Sequence, residues 1–138
     1  MVTDSEINEV FYQRFVEATQ GENPAISIGG VVCNKDREET IGEDIVVITT
    51  GVVGDEFPQN ALVNINAYTF DVPESGNGFV RNGQRLSELV KAIADYLETL
   101  VFDNMEFVVE NIAEVEEKSI NQHYKNFRVR LFIYDNFS

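Results

Sequence analysis

The chain has 138 residues, 43% hydrophobic and 11% aromatic, which suits one compact domain (1–138) with its own core and excludes a disordered chain. Ten Lys and Arg face twenty-four Asp and Glu, for a net charge of −14 at pH 7. Such a surface repels phosphate backbones and anionic lipid, so neither a basic nucleic-acid footprint nor membrane docking is expected.

The N-terminal MVTDSEINEV is acidic and lacks the regions of a secretory signal, and no apolar run approaches the roughly 20 residues of a membrane span. A soluble protein made in the cytoplasm is expected. Cys33 is the only cysteine, which rules out an intrachain disulfide and fits a reducing compartment.

Residues 3–19 read as a first helix. Thr3, Asp4 or Ser5 supplies a cap, Asp4 and Glu6 suit the positive end, and Ile7, Val10, Phe11, Phe15 and Ala18 form the apolar stripe. Gly21 and Asn23-Pro24 end it. Residues 22–43 form a long arm or loop. Ile26, Ile28, Val31 and Val32 hint at a short strand broken by Gly29-Gly30, and the polar NKDREETIGED follows. A connection of this length in a small domain often has a job.

Residues 44–53 (DIVVITTGVV) are strongly β-branched and predict a strand. A second is predicted over 61–72, where Val63, Ile65 and Ala67 alternate with Asn64, Asn66 and Tyr68. PESGNGFVRNG, from Pro73 to Gly83, is a Gly-rich loop. The central helix is predicted over 85–102, RLSELVKAIADYLETLVF. Leu86, Leu89, Val90, Ile93, Leu97, Leu100 and Val101 fall on one face, with Glu88, Lys91, Asp95 and Glu98 opposite. At 1.5 Å per residue it spans roughly 27 Å, enough to cover a small sheet. Strands are predicted at 105–115 and 126–134, separated by a polar bend. In the last of them Phe127, Val129, Leu131 and Ile133 face one way, and Arg128, Arg130, Phe132 and Tyr134 the other. The expected fold is α+β, with a mainly antiparallel four-stranded sheet packed against two helices.

No constellation carries a reaction. In GFVRNGQR the glycine spacing resembles a phosphate loop, but Gln84 and Arg85 stand where Lys and Ser/Thr are required. His123 is the sole histidine and reads as a surface residue in a bend, with no partner for a triad or metal site. Asp71, Glu74, Ser75 and Asn77 do not have the spacing of a calcium loop. Cys33 lies in an apolar stretch and reads as buried. No catalytic residue, cofactor or metal is expected, and the chain is not read as an enzyme.

Arg128 and Arg130 share a strand face with Phe132 and Tyr134 in a chain short of positive charge. They either pair with acidic neighbours or form part of an interface, where Arg and Tyr are enriched. Tyr68 and Phe70 give the neighbouring strand a similar face, and Phe79 lies in the Gly-rich loop. Tyr68, Phe70, Phe79, Arg128, Arg130 and Tyr134 are therefore the candidate subunit interface.

A short N-terminal helix, an arm, a strand like ALVNINAYTFDV, a Gly-rich loop before RLSELVKAIADYLETL, and a final HYKNFRVRLFIYDN together resemble the tail terminator (tail completion) proteins of long-tailed bacteriophages. More broadly they resemble the small ring proteins of the phage neck and head–tail connector. The resemblance covers most of the chain from Ile45 onward and rests on element order and texture. It implies a virion structural protein forming a ring, typically a hexamer, that caps the tail tube and meets the neck or head connector. DNA would pass an acidic lumen without specific binding, since like charge keeps it off the wall. Another neck or head-closure ring protein is one alternative. An acidic DNA mimic is another, although the carboxylates cluster in loops such as DREE and EVEEK rather than spacing along a face.

Overall fold

A computed structural model describes residues 1–37 and 42–138; the part of the expected arm at 38–41 lies outside the described residues. Helix α1 (Asp4–Ala18) opens on a capping box. The Thr3 hydroxyl accepts from the Glu6 amide and the Glu6 carboxylate accepts from the Thr3 amide. Ile7, Phe11, Phe15 and Ala18 are buried, and Asn8 joins them as a buried polar residue. Its amide donates to Asn34 Oδ1 and to the Val47 carbonyl, and its oxygen accepts from the Thr49 hydroxyl. A satisfied polar group of this kind fixes how the helix is rotated on the sheet.

Helix α2 (Gly83–Thr99) is capped by Asn82, whose side chain accepts from the Arg85 amide. Leu86, Leu89, Ile93 and Leu97 are buried along one face. The helix stops at Thr99, short of the expected 102. Leu100 takes an extended conformation, and Val101 is turned out and 79% exposed. Phe102 folds back against Phe11 and Phe107.

The strands are β1 (Val32–Asn34), β2 (Ile45–Val53), β3 (Gln59–Phe70), β4 (Val72–Glu74), β5 (Gly78–Val80), β6 (Met105–Glu117) and β7 (Gln122–Ile133). The expected mainly antiparallel four-stranded sheet is overturned. The main sheet has five strands in the order β1-β2-β3-β7-β6, β1 runs parallel to β2, and β4 and β5 form a separate two-stranded sheet. Parallel neighbours ordinarily need a long crossover. Here β1 is only three residues long and pairs with the first three residues of β2. The register sets Val32 beside Ile45 and Asn34 beside Val47. Gly30, just before β1, lies so close to the segment leading into β2 that a Cβ there would be 2.2 Å from Asp44 Oδ1.

The bend expected at 116–122 is also corrected. β6 runs on to Glu117, a 3-10 turn takes up Lys118–Ile120, and β7 begins at Gln122. Polar side chains remain in strand there because β3 supplies a partner for each, Phe70 beside Gln122 and Thr69 beside His123. The Pro73–Gly83 loop is likewise a hairpin followed directly by the helix.

Both helices cover one face of the sheet, α1 over β1 and β2, and α2 over β3 and β7. Val63, Ile65, Ala67, Phe127, Val129 and Leu131 form the floor of the core beneath them. No described helix is long and apolar enough to cross a membrane. Phe127 is fully buried in this floor, so Phe127→Ala is expected to cost about 3–5 kcal/mol. Exposed Val101→Ala should stay within about 0.5 kcal/mol, with chemical denaturation of both variants as the check.

Candidate subunit interface

The face of the sheet turned away from the helices carries Asn64, Asn66 and Tyr68 of β3 beside Arg128, Asn126 and Tyr124 of β7. Asn126 donates to both Asn64 and Asn66. Tyr68 and Tyr124 stack with ring centroids 4.5 Å apart, and the Arg37 guanidinium lies 3.9 Å above the Tyr68 ring. Arg37 in turn donates to Asp44 at 2.8 Å and to the Gly42 carbonyl. The arm therefore folds over one end of this face, and Tyr68 is half-buried rather than free for a partner. Burial, with Tyr124 beside it, pushes the Tyr68 hydroxyl up to about 12.

At the other end, β6 is the edge strand, and a bulge interrupts its pairing with β7 between Val109 and Asn111. The extra residue, Glu110, reaches Arg128 at 3.3 Å and also pairs closely with Arg130. Both arginines are thus bound within the chain, although each stays partly accessible. Tyr134 is 48% exposed, and its hydroxyl hydrogen-bonds Glu106, which raises its pKa. Phe70 is exposed at the end of β3. Phe79 lies apart from this face, in the β4–β5 hairpin. The six candidates therefore do not form one patch. Arg128, Arg130 and Tyr134 belong with β6, Tyr68 and Phe70 with the arm end, and Phe79 stands alone.

On the helix side, α2 leaves part of β6 uncovered. Leu97, Leu100, Val101, Phe107, Val109 and Ile112 line an open groove of about 680 Å³. Val108 on the opposite face is 50% exposed and Ile112 is 41% exposed. Sequence reading missed this groove because it carried the central helix on to Phe102, whereas the helix ends at Thr99. The one available sign was the run of Val108, Val109 and Ile112 in a strand otherwise rich in Glu.

Two of the five glutamates of β6, Glu110 and Glu114, are each held by a pair of cations. Glu114 is held by Arg81 at 2.6 Å and Lys125 at 3.1 Å. The Arg81 hydrogen bond, and after burial's opposing effect those of Lys125, hold the Glu114 carboxyl down at about 2. Near α2, burial alone would raise Glu43, but hydrogen bonds from Arg85 and Thr69 outweigh it and the group titrates below its ordinary range. His123 is corrected from a surface residue: its side chain is only 12% exposed, with Nδ1 2.6 Å from Asp71. Cys33 is buried. Among the described residues, no group of three or more His, Cys, Asp or Glu is placed to hold a metal ion.

A depressed carboxylate contributes stability above its ordinary value of 4.5, and that contribution is lost as pH falls through its folded value, about 2 for Glu114. Urea unfolding midpoints of the native chain should therefore fall across this acid window. Glu114→Gln should be less stable at neutral pH and show a shallower acid decline. An unchanged slope would show that the Arg81–Glu114–Lys125 cluster contributes nothing measurable, as many exposed ion pairs do.

No protein-family model matches this chain, and no curated protein matches it.

Proposed function

We propose that this chain is a structural subunit that assembles with copies of itself into a ring, in the manner of the phage tail terminators it resembles. It would cap a tail tube in the virion and present a surface to the neck. One observation carries the self-association: among the described residues, the thirteen-residue edge strand β6 is unpaired on its outer side, beside an exposed apolar strip. Natural proteins blunt or cover such edges, and contiguous exposed apolar surface marks a contact site.

Charge supports the same reading. A chain of net charge −14 repels its own copies over most of its surface. Around β6, Arg128 and Arg130 offset Glu110, while Arg81 and Lys125 offset Glu114. Four of the ten cations of the chain are concentrated there, which lowers the repulsion at that contact.

Light scattering over a concentration series, paired with negative-stain microscopy, tests this. The expected particle is a closed ring of roughly six copies of the 15.6 kDa chain. A monomer at every concentration, with no rings on the grid, would overturn the proposal.

A further inference from the structure

The β4–β5 hairpin is an anchored arm. Val72 pairs with Val80 and Pro73 with Phe79, and positive φ at Gly76 (83°) and Gly78 (67°) forms its tight end. Its two strands pack mainly on each other. An isolated two-stranded hairpin is marginal in water, and Phe79 is 54% exposed, so the hairpin gains little from its own tip. Its base is held firmly on both sides. Asp71 pairs with His123 and donates its amide to the Asn121 carbonyl, while Arg81 forms a two-pronged ion pair with Glu114. A fixed base with an apolar tip is suited to presenting that tip to another molecule.

The groove between α2 and β6 has the opposite character: apolar, open and unfilled by the described residues, with Phe79 not among its lining residues. We infer that Phe79 of one copy seats in the groove of the next, so that the hairpin is the arm and the groove the socket of a head-to-tail contact. The inference rests on the reading that the chain self-associates, and it names the two surfaces that meet.

The chain itself carries a matching occupant, and local charge does not oppose a second copy. The hairpin face bearing Pro73 and Phe79 has no ionisable group, because Glu74 pairs with Gly78 and lies on the opposite face. The groove floor is apolar, and its rim carboxylates are Glu98 and Glu106, the latter hydrogen-bonded by Tyr134. An uncharged tip therefore meets no like charge at the rim carboxylates, so a second copy of this acidic chain can seat it there. Because the two surfaces differ, the contact is heterologous and propagates from copy to copy until it closes.

Two variants test it, both at exposed positions: Phe79→Lys, which spoils the arm, and Ile112→Lys, which spoils the socket. Far-UV circular dichroism and thermal unfolding establish that each is folded. Each variant alone is expected to sediment as a monomer at a concentration where the native chain is assembled. Mixed in equal amounts, they should form a 1:1 dimer, since the intact arm of Ile112→Lys fits the intact socket of Phe79→Lys. If the native chain assembles and either folded variant keeps its mass, or the mixture stays monomeric, the arm-and-groove contact is wrong and the ring reading stands. A native chain that never assembles removes both.

Discussion

The pairing of β3 with β7 is the constraint on which the rest of the structure depends. It runs unbroken from Gln59 beside Ile133 to Phe70 beside Gln122. These strands supply the core floor on one face and the Asn–Arg–Tyr ladder on the other. A shift by one residue would exchange the two faces, exposing Ile65 and Phe127 and burying Asn64 and Arg128. Each outer element hangs on this pair. β2 and then β1 extend from β3, β6 extends from β7, and α2 lies across the seam.

Ion pairs fasten the irregular segments to that frame. Arg85 of α2 grips Glu43 at the end of the arm with two hydrogen bonds, and also donates to the Ser27 carbonyl. Arg37 closes the arm over Tyr68. Gln59 ties the N-terminus down by bonding both the amide and the carbonyl of Val2. In a chain this acidic, each cation is scarce, and Arg37, Arg81 and Arg85 are used to hold a connection in place.

Much of the fold was legible in the sequence because periodicity follows burial. Leu86, Leu89, Ile93 and Leu97 mark α2 at helical spacing, and Phe127, Val129, Leu131 and Ile133 mark β7 at strand spacing. Features that depend on contacts distant in sequence were not legible. β1 was only hinted at, by Val31 and Val32, and its bounds at Val32–Asn34 are set by pairing with β2. His123 is largely enclosed because Asp71, just past the end of β3, packs against it. The candidate interface was readable in residue type, since Arg128, Arg130 and Phe79 were all singled out, but not in grouping. The bulge that brings Glu110 to both arginines leaves no mark in the sequence, and neither does the early end of α2 that opens the groove.

The central position of β3 also bears on how the chain is made. Ribosomes release β2 and β3 first, then the hairpin, α2 and β6, and only afterwards β7. In that interval the β2–β3 pair presents a long unsatisfied edge of alternating Val, Ile and Ala, while closing it requires contacts far apart in sequence, which form slowly. β6 and β7 are joined by a short turn and can pair locally. The β2–β3 pair and the β6–β7 pair each join neighbouring strands, and the sheet is complete only when β3 meets β7.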